Sequence, residues 1–293
     1  MSASLKRLVA AFAQPGGRGF PMPLALAMLA PLLIGLGVAF ILPVGRLLLV
    51  SLWNPHFTLA EFIRIGETPL YLRILGRTFG LAALVTALTL TLAYPVAYLM
   101  ARLAGWRLAA AVAAVMVPLW TSVLVRGYAW IIILQRTGLL NSALQHLGLI
   151  DAPLPLLYNQ FSVTVAMTHV LLPYMILPIW SALRTIPRDL PLAAQSLGAN
   201  PVRVFFLVVL PLSLSGVASG TLMVFILSLG FYVVPALVGG PETLMIATLI
   251  GQQTTELLNW PFAGALAAVL LGITLLLIAM FNRFLGFDRK AGQ

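Results

Sequence analysis

Residues 212–238, LSLSGVASGTLMVFILSLGFYVVPALV, run for 27 positions without an Asp, Glu, Lys, Arg or His. About 20 helical residues cross the roughly 30 Å of hydrocarbon in a bilayer, so this stretch is long enough to span one. It does not stand alone. Only 17 Lys+Arg and 7 Asp+Glu occur in 293 residues, 8% of the chain, against about 25% in a soluble protein, while 61% of residues are hydrophobic. A water-soluble globule is excluded.

Charge-free runs yield six candidate spans, 24–42, 79–101, 108–125, 161–183, 212–238 and 261–281. The expected fold is all-α: a polytopic integral membrane protein of about six transmembrane helices. Its organisation reads as an amino-terminal segment 1–23, a single transmembrane domain 24–283 and a short tail 284–293. The third span is the shortest and is expected to continue past Arg126 through Gly127–Ile132. Lys6-Arg7 resembles the start of a signal peptide, but the apolar run begins late and lacks a small-x-small cleavage site, so the first span reads as a retained anchor.

Charge is distributed unevenly between alternate connections. One side, with both termini, the 102–107 turn and the 184–211 loop, holds 11 basic and two acidic residues; the other holds six basic and five acidic. By the positive-inside rule both termini are expected to be cytoplasmic. The net charge of +10 is thus read as topology and not as a nucleic-acid footprint, because the basic residues lie singly between apolar runs. Pro95, Pro118, Pro173 and Pro178 fall inside spans, where each removes a backbone hydrogen bond that lipid cannot replace.

Motifs of chemistry are missing. Lys6 and Lys290 are the only lysines, and neither stands in a nucleotide-binding G-x-x-x-x-G-K-S/T context. His56, His146 and His169 are far apart and none adjoins a glutamate, cysteine is absent, and the nearest approach to a serine-hydrolase elbow is Gly216-Val217-Ala218-Ser219-Gly220. No catalytic residue, metal site or cofactor is expected.

The connection between the fourth and fifth spans, 184–210, carries more information. Asp189 reads as an N-cap with Pro191 in the first turn, and Leu190, Ala193, Ala194 and Leu197 make a small apolar face. Gly198 supplies a left-handed stop, after which Asn200 caps and Pro201 opens a second short helix expected to end near Leu210-Pro211. An interfacial linker would look similar, but alanines keep one side low enough for another protein to approach.

The string Ala193-Ala194-x-x-Leu197-Gly198-Ala199, with Leu210-Pro211-Leu212-Ser213 following, resembles the EAA loop of ABC-importer permease subunits. Pro118–Trp130, Gly138–Asn141, His169–Met175 and Phe225–Gly240 are similar to the spermidine/putrescine branch of that family, whose members also serve opines and aminophosphonates. The resemblance implies that Leu192, Ala193, Ala194, Leu197, Gly198, Ala199, Asn200, Pro201 and Arg203 form a cytoplasmic coupling helix and arm docking on a separate ATPase. It also implies two copies of that ATP-binding subunit, a second permease chain in a heterodimer, a periplasmic or extracellular solute-binding protein, and a place in the bacterial inner membrane. The family's acidic position before the two alanines is Leu192 here.

A polyamine favours aromatic faces, so Trp120, His169, Tyr174, Phe231 and Tyr232 are candidates for the translocation path, with Tyr94 and Tyr98 further possibilities. Each is equally read as a packing or interfacial residue, and His169 as a neutral histidine bonded across helices. No carboxylate lies within a span to serve as counter-charge. A self-contained secondary transporter or channel is the alternative; it would require coupling-ion carboxylates or inverted repeats.

Overall fold

The computed structural model describes residues 22–53 and 56–285, and among these the protein is built from helices. The amino-terminal segment and the tail named above lie almost wholly outside the described residues. Six helical runs are long and apolar enough to cross a membrane: Met28–Leu52, Pro69–Arg102, Val123–His146, Gln160–Thr185, Pro201–Leu229 and Trp260–Phe281.

The first crossing joins α1 (Met22–Leu36) to α2 (Leu42–Leu52) through a π turn at Gly37–Ile41, so it extends ten residues beyond the expected end at 42. A short helix, α3 (Ala60–Glu67), precedes α4 (Pro69–Arg102). The expected start of the second span at 79 is corrected to Pro69, because Arg73 and Arg77 belong to the helix, Arg73 exposed and Arg77 half-buried near its start. Charge marks where a helix leaves lipid, not where it stops.

The third span is corrected as well. The run 108–125 breaks into α5 (Gly105–Trp120) and α6 (Val123–Leu134), with Thr121 extended between them. At the break the Thr121 hydroxyl donates to Pro118 O at 2.7 Å, and Ser122 caps α6 by accepting the N–H of Arg126 on its carbonyl at 3.1 Å. At 16 residues, α5 is too short to span alone. A small helix, α7 (Leu139–His146), follows; its Asn141 is fully buried and bonds both the carbonyl (3.0 Å) and the N–H (2.9 Å) of Leu154.

The fourth crossing, α8 (Gln160–Thr185), is opened by a capping box between Asn159 and Ser162. It passes Pro173 and Pro178 unbroken. After α9 (Asp189–Ser196), the short α10 (Pro201–Val204) runs through a π turn at Phe205–Val209 into α11 (Leu210–Leu229). The second arm of the loop therefore does not end near Leu210-Pro211; it is the first two turns of the fifth long helix. The apolar run to 238 does not continue as one span either. It breaks at Gly230–Tyr232 into α12 (Val233–Val238). α13 (Ile246–Thr255) and α14 (Trp260–Leu285) complete the chain.

Packing centres on α4, α8 and α11, whose inward faces meet in one cluster containing Val85, Ala93, Met167, Met175, Ile179 and Val224. Gly216 and Gly220, in the G-x-x-x-G pattern noted above, bring α11 against α8 at the backbone: a Cβ on Gly216 would lie 2.5 Å from Ala182 Cβ and 2.6 Å from Pro178 O, and one on Gly220 2.9 Å from Met175 Sδ. Lipid offers helices no hydrophobic drive to associate, so dispersion across such close contacts holds them together. A second cluster of Ile65, Ile74, Ile246, Phe262 and Leu266 ties α3, α13 and α14 to the start of α4. Thr78 links α4 to α13 by accepting the N–H of Ile246 at 3.0 Å.

A substitution series at the two glycines separates these contacts. Gly216→Ala is expected to lower thermal stability by about 1–3 kcal/mol, because its new methyl meets backbone. Gly220→Ala is expected to cost less, since the Met175 thioether can swing aside. Melting of the purified chain by intrinsic fluorescence measures both, and a larger loss at Gly220 would contradict the packing.

Candidate functional site

The elbow between α8 and α11 is set by local hydrogen bonding. Gly198 has φ +85°, a conformation that strains any residue with a Cβ. Its N–H reaches Gln195 O at 2.9 Å and the next N–H, of Ala199, reaches Ala194 O at 3.0 Å, the paired bonds of a Schellman stop. Asn200 then accepts the N–H of Arg203 on its side-chain oxygen at 2.8 Å, with Pro201 in the first turn. The expected cap at Asp189 is corrected: Arg188 holds the cap position, without a side-chain bond, and Asp189 is the first helical residue. There its carboxylate still meets the positive end of the helix dipole.

The elbow is tied to the bundle through an aromatic joint. Phe205, in the π turn, meets Tyr94 and Tyr98 of α4 edge-on, at 5.7 and 5.5 Å between centroids. The Tyr94 hydroxyl bonds Ser213 Oγ across to α11 at 2.9 Å. Tyr94 and Tyr98 are thus engaged in packing. By contrast Leu197, at the elbow's tip, is 90% exposed, and Leu192, Ala193, Gly198 and Val202 are exposed around it.

The five path candidates do not form one group. His169 of α8 is exposed and accepts a hydrogen bond at Nδ1 from Trp130 Nε1 of α6 at 3.3 Å, so a neutral His169 carries its proton at Nε2. Tyr174 is half-buried against the central cluster. Phe231 and Tyr232 occupy the break between α11 and α12, where the Tyr232 ring lies so close to Gly251 that a Cβ there would sit 2.4 Å from it. Trp120 stands 84% exposed at the end of α5.

Arg126 stands at the end of the third expected span. A snorkelling side chain would reach toward water, yet Arg126 is 9% exposed, on the first turn of α6, with Nε and Nη1 buried and unpartnered. It shares the α6 face of Trp130, one turn away. Its only sequence signal was a charge between apolar runs. No three His, Asp or Glu side chains gather among the described residues where they could hold a metal.

The fold around this elbow has solved counterparts. The chain resembles a solved bacterial alginate ABC transporter in complex with its alginate-bound periplasmic protein: TM-score 0.73, 18% identity, over 89% of this chain and 93% of that one. A second alginate-importer structure gives 0.67 at 20% identity, over 89% and 96%. At these identities the likeness establishes the fold.

Residues 93–285 match the family described as "Binding-protein-dependent transport system inner membrane component", and the chain belongs to that family. It is a multi-pass inner-membrane permease component of an ABC importer, a transport subunit and not an enzyme. It is 32% identical to the spermidine/putrescine transport system permease protein PotB of Escherichia coli (strain K12), over 78% of this chain and 84% of that one. It is 30% identical to PotB of Haemophilus influenzae over 87% and 88%, and 36% identical to the inner membrane ABC transporter permease protein YdcU of E. coli over 80% and 78%.

A buried cation without partners costs stability, so its replacement by an apolar side chain of similar length is informative. Arg126→Met is expected to leave the purified permease at least as heat-stable while lowering uptake in cells. Reduced stability with unchanged uptake would show the guanidinium to be a structural group satisfied within the chain.

Proposed function

We propose that this chain imports polyamines such as spermidine and putrescine, or related small amino compounds such as opines and aminophosphonates, and that the elbow is where a separate ATPase drives it. The observation that carries the proposal is the capped helix–glycine–helix turn whose second arm is continuous with the fifth long helix. The names of the PotB relatives support the substrate class. In this reading residues 24–283 form one permease domain and both termini face the cytoplasm. The assembly has two ATPase copies, a second permease chain and a solute-binding protein, by analogy with the periplasmic protein in the alginate complex.

Leu192, Ala193, Leu197 and Gly198 present a low, exposed surface to the ATPase, Ala194 and Ala199 seat it on the bundle, and Asn200, Pro201 and Arg203 anchor the arm. Closure of the ATPase pair would displace the elbow. Because α10, the π turn and α11 are one helix, the displacement passes along α11 directly, and through Phe205 to α4. The glycine contacts oblige α8 to follow. Solute would then pass along a surface that includes Trp120, His169, Tyr174, Phe231 and Tyr232, each aromatic face worth about 0.5–2 kcal/mol to a cation. The second permease chain or backbone carbonyls supply the counter-charge.

Two substitutions test coupling and docking separately. Gly198→Val should insert normally but lose the co-purifying ATPase, since a β-branched residue cannot hold φ +85°. Phe205→Ala should keep the ATPase while ATP hydrolysis no longer drives spermidine uptake in reconstituted vesicles. ATP-independent uptake by the purified single chain would overturn the importer reading in favour of a self-contained transporter.

A further inference from the structure

A cleft of about 540 Å³ opens between the ends of α4 and α8 and the elbow. Three arginines, Arg102 from the end of α4 and Arg184 and Arg188 from the end of α8 and the loop after it, line it, and no carboxylate does. The ion pair between Arg64 and Glu61 is the one found among the described residues, and it lies elsewhere. The three charges in the cleft are therefore not neutralised by this chain's described part.

Two of the three are held in place. Arg102 lies 4.1 Å over the Tyr98 ring and donates to the Tyr98 hydroxyl; Arg184 lies 5.4 Å from the Trp180 ring. Contact with a ring leaves N–H groups at the guanidinium edge, those of Arg102 that do not reach the Tyr98 hydroxyl and those of Arg184, and such edges bind phosphate oxygens. Arg102 and Arg184 also sit in the last turns of their helices, where the dipole favours cations. That accounts for their sign but not for Arg188, which precedes a helix, nor for a cavity enclosed by all three.

Part of the remaining wall is apolar, with Gln195 the polar side chain on it besides Tyr98. Leu183, Val204 and Val209 are buried side chains facing the same cleft. A small hydrated anion gains nothing from such a wall, whereas a phosphodiester carrying a glycerol and acyl chains fits both halves. The cleft also lies where two helices long and apolar enough to cross a membrane end, and basic pockets between such helix ends suit anionic headgroups. We infer that it binds one anionic phospholipid, with the headgroup phosphate on Arg102, Arg184 and Arg188 and the upper acyl chain along Leu183, Val204 and Val209. Leu197 and Val202, the exposed tip of the elbow, do not line the cleft, whereas Leu192 and Pro201 do, so the lipid site and the proposed ATPase surface adjoin at Leu192. A bound lipid would brace the elbow against α4 and α8, making coupling sensitive to membrane composition.

The test is retention of lipid by the purified permease complex, equilibrated in mixed micelles with equal amounts of phosphatidylglycerol and phosphatidylcholine and read by native mass spectrometry. Phosphatidylglycerol is expected to be retained several-fold over phosphatidylcholine. The preference should disappear in Arg184→Gln/Arg188→Gln, persist in weakened form in Arg184→Lys/Arg188→Lys, and survive in Arg73→Gln at the opposite end of α4. Equal retention by the glutamine double variant, or displacement of the lipid by excess inorganic phosphate or ATP, would overturn the assignment; the second result would mark a soluble-anion site. The readout involves neither solute nor transport direction, so a failed importer proposal and a failed lipid site give different results.

Discussion

Backbone groups inside a bilayer find no water, and this single constraint explains why the bundle centres on the contact of α8 with α11. Each helix satisfies its own hydrogen bonds, so what joins them must be close packing. Gly216 and Gly220 let α11 approach the backbone of α8 at Pro178 and Met175, and Ser219 and Ser228 turn their hydroxyls back on their own helix, to Ser215 O and Val224 O, both at 2.8 Å. The same glycines that might suggest flexibility lock the two helices into one moving body. Mobility is left to places where the backbone departs from a regular helix.

Those places follow a rule. The π turns at Gly37–Ile41 and Phe205–Val209 each stand immediately before a Leu-Pro pair, Leu42-Pro43 and Leu210-Pro211, and in each the leucine N–H bonds five residues back, to Gly37 O and Phe205 O. Proline cannot donate to the residue four back and its ring crowds that carbonyl. Widening the preceding turn by one residue accommodates it without breaking the helix. In α11 the widened turn also carries Phe205, so the proline's local demand positions the aromatic joint on Tyr94 and Tyr98.

Local features were legible in the sequence and tertiary ones were not. Gly198 and Asn200 announced themselves because their roles, a left-handed stop and a cap, are decided by backbone neighbours within three residues. The number of crossings was readable from charge spacing, but helix limits were not: Arg73 and Arg77 extend α4 beyond the apolar run, and the unbroken hydrophobicity of 212–238 hides the break at Gly230. Hydropathy measures solvent preference, and a break flanked by Phe231 and Tyr232 is as apolar as a helix. The Trp130–His169 bond and the burial of Arg126 depend on how α6 packs against α8, which no spacing encodes.

The charge inventory bears on what a cationic solute meets. The spans of this chain hold no carboxylate, and Arg126 is a buried positive charge on the α6 face that carries Trp130. A diamine cannot be held near that face by ion pairing within this subunit. What the chain does offer is the carboxyl end of α11 at Leu229, where the helix dipole is negative, next to the ring faces of Phe231 and Tyr232 at the break. An interrupted helix presenting its carbonyl end is a weak cation site, adequate for passage and too weak to trap. If this chain carries the amine path proposed above, strong selection among amines falls to groups outside it, because nothing in its spans pairs with the charge.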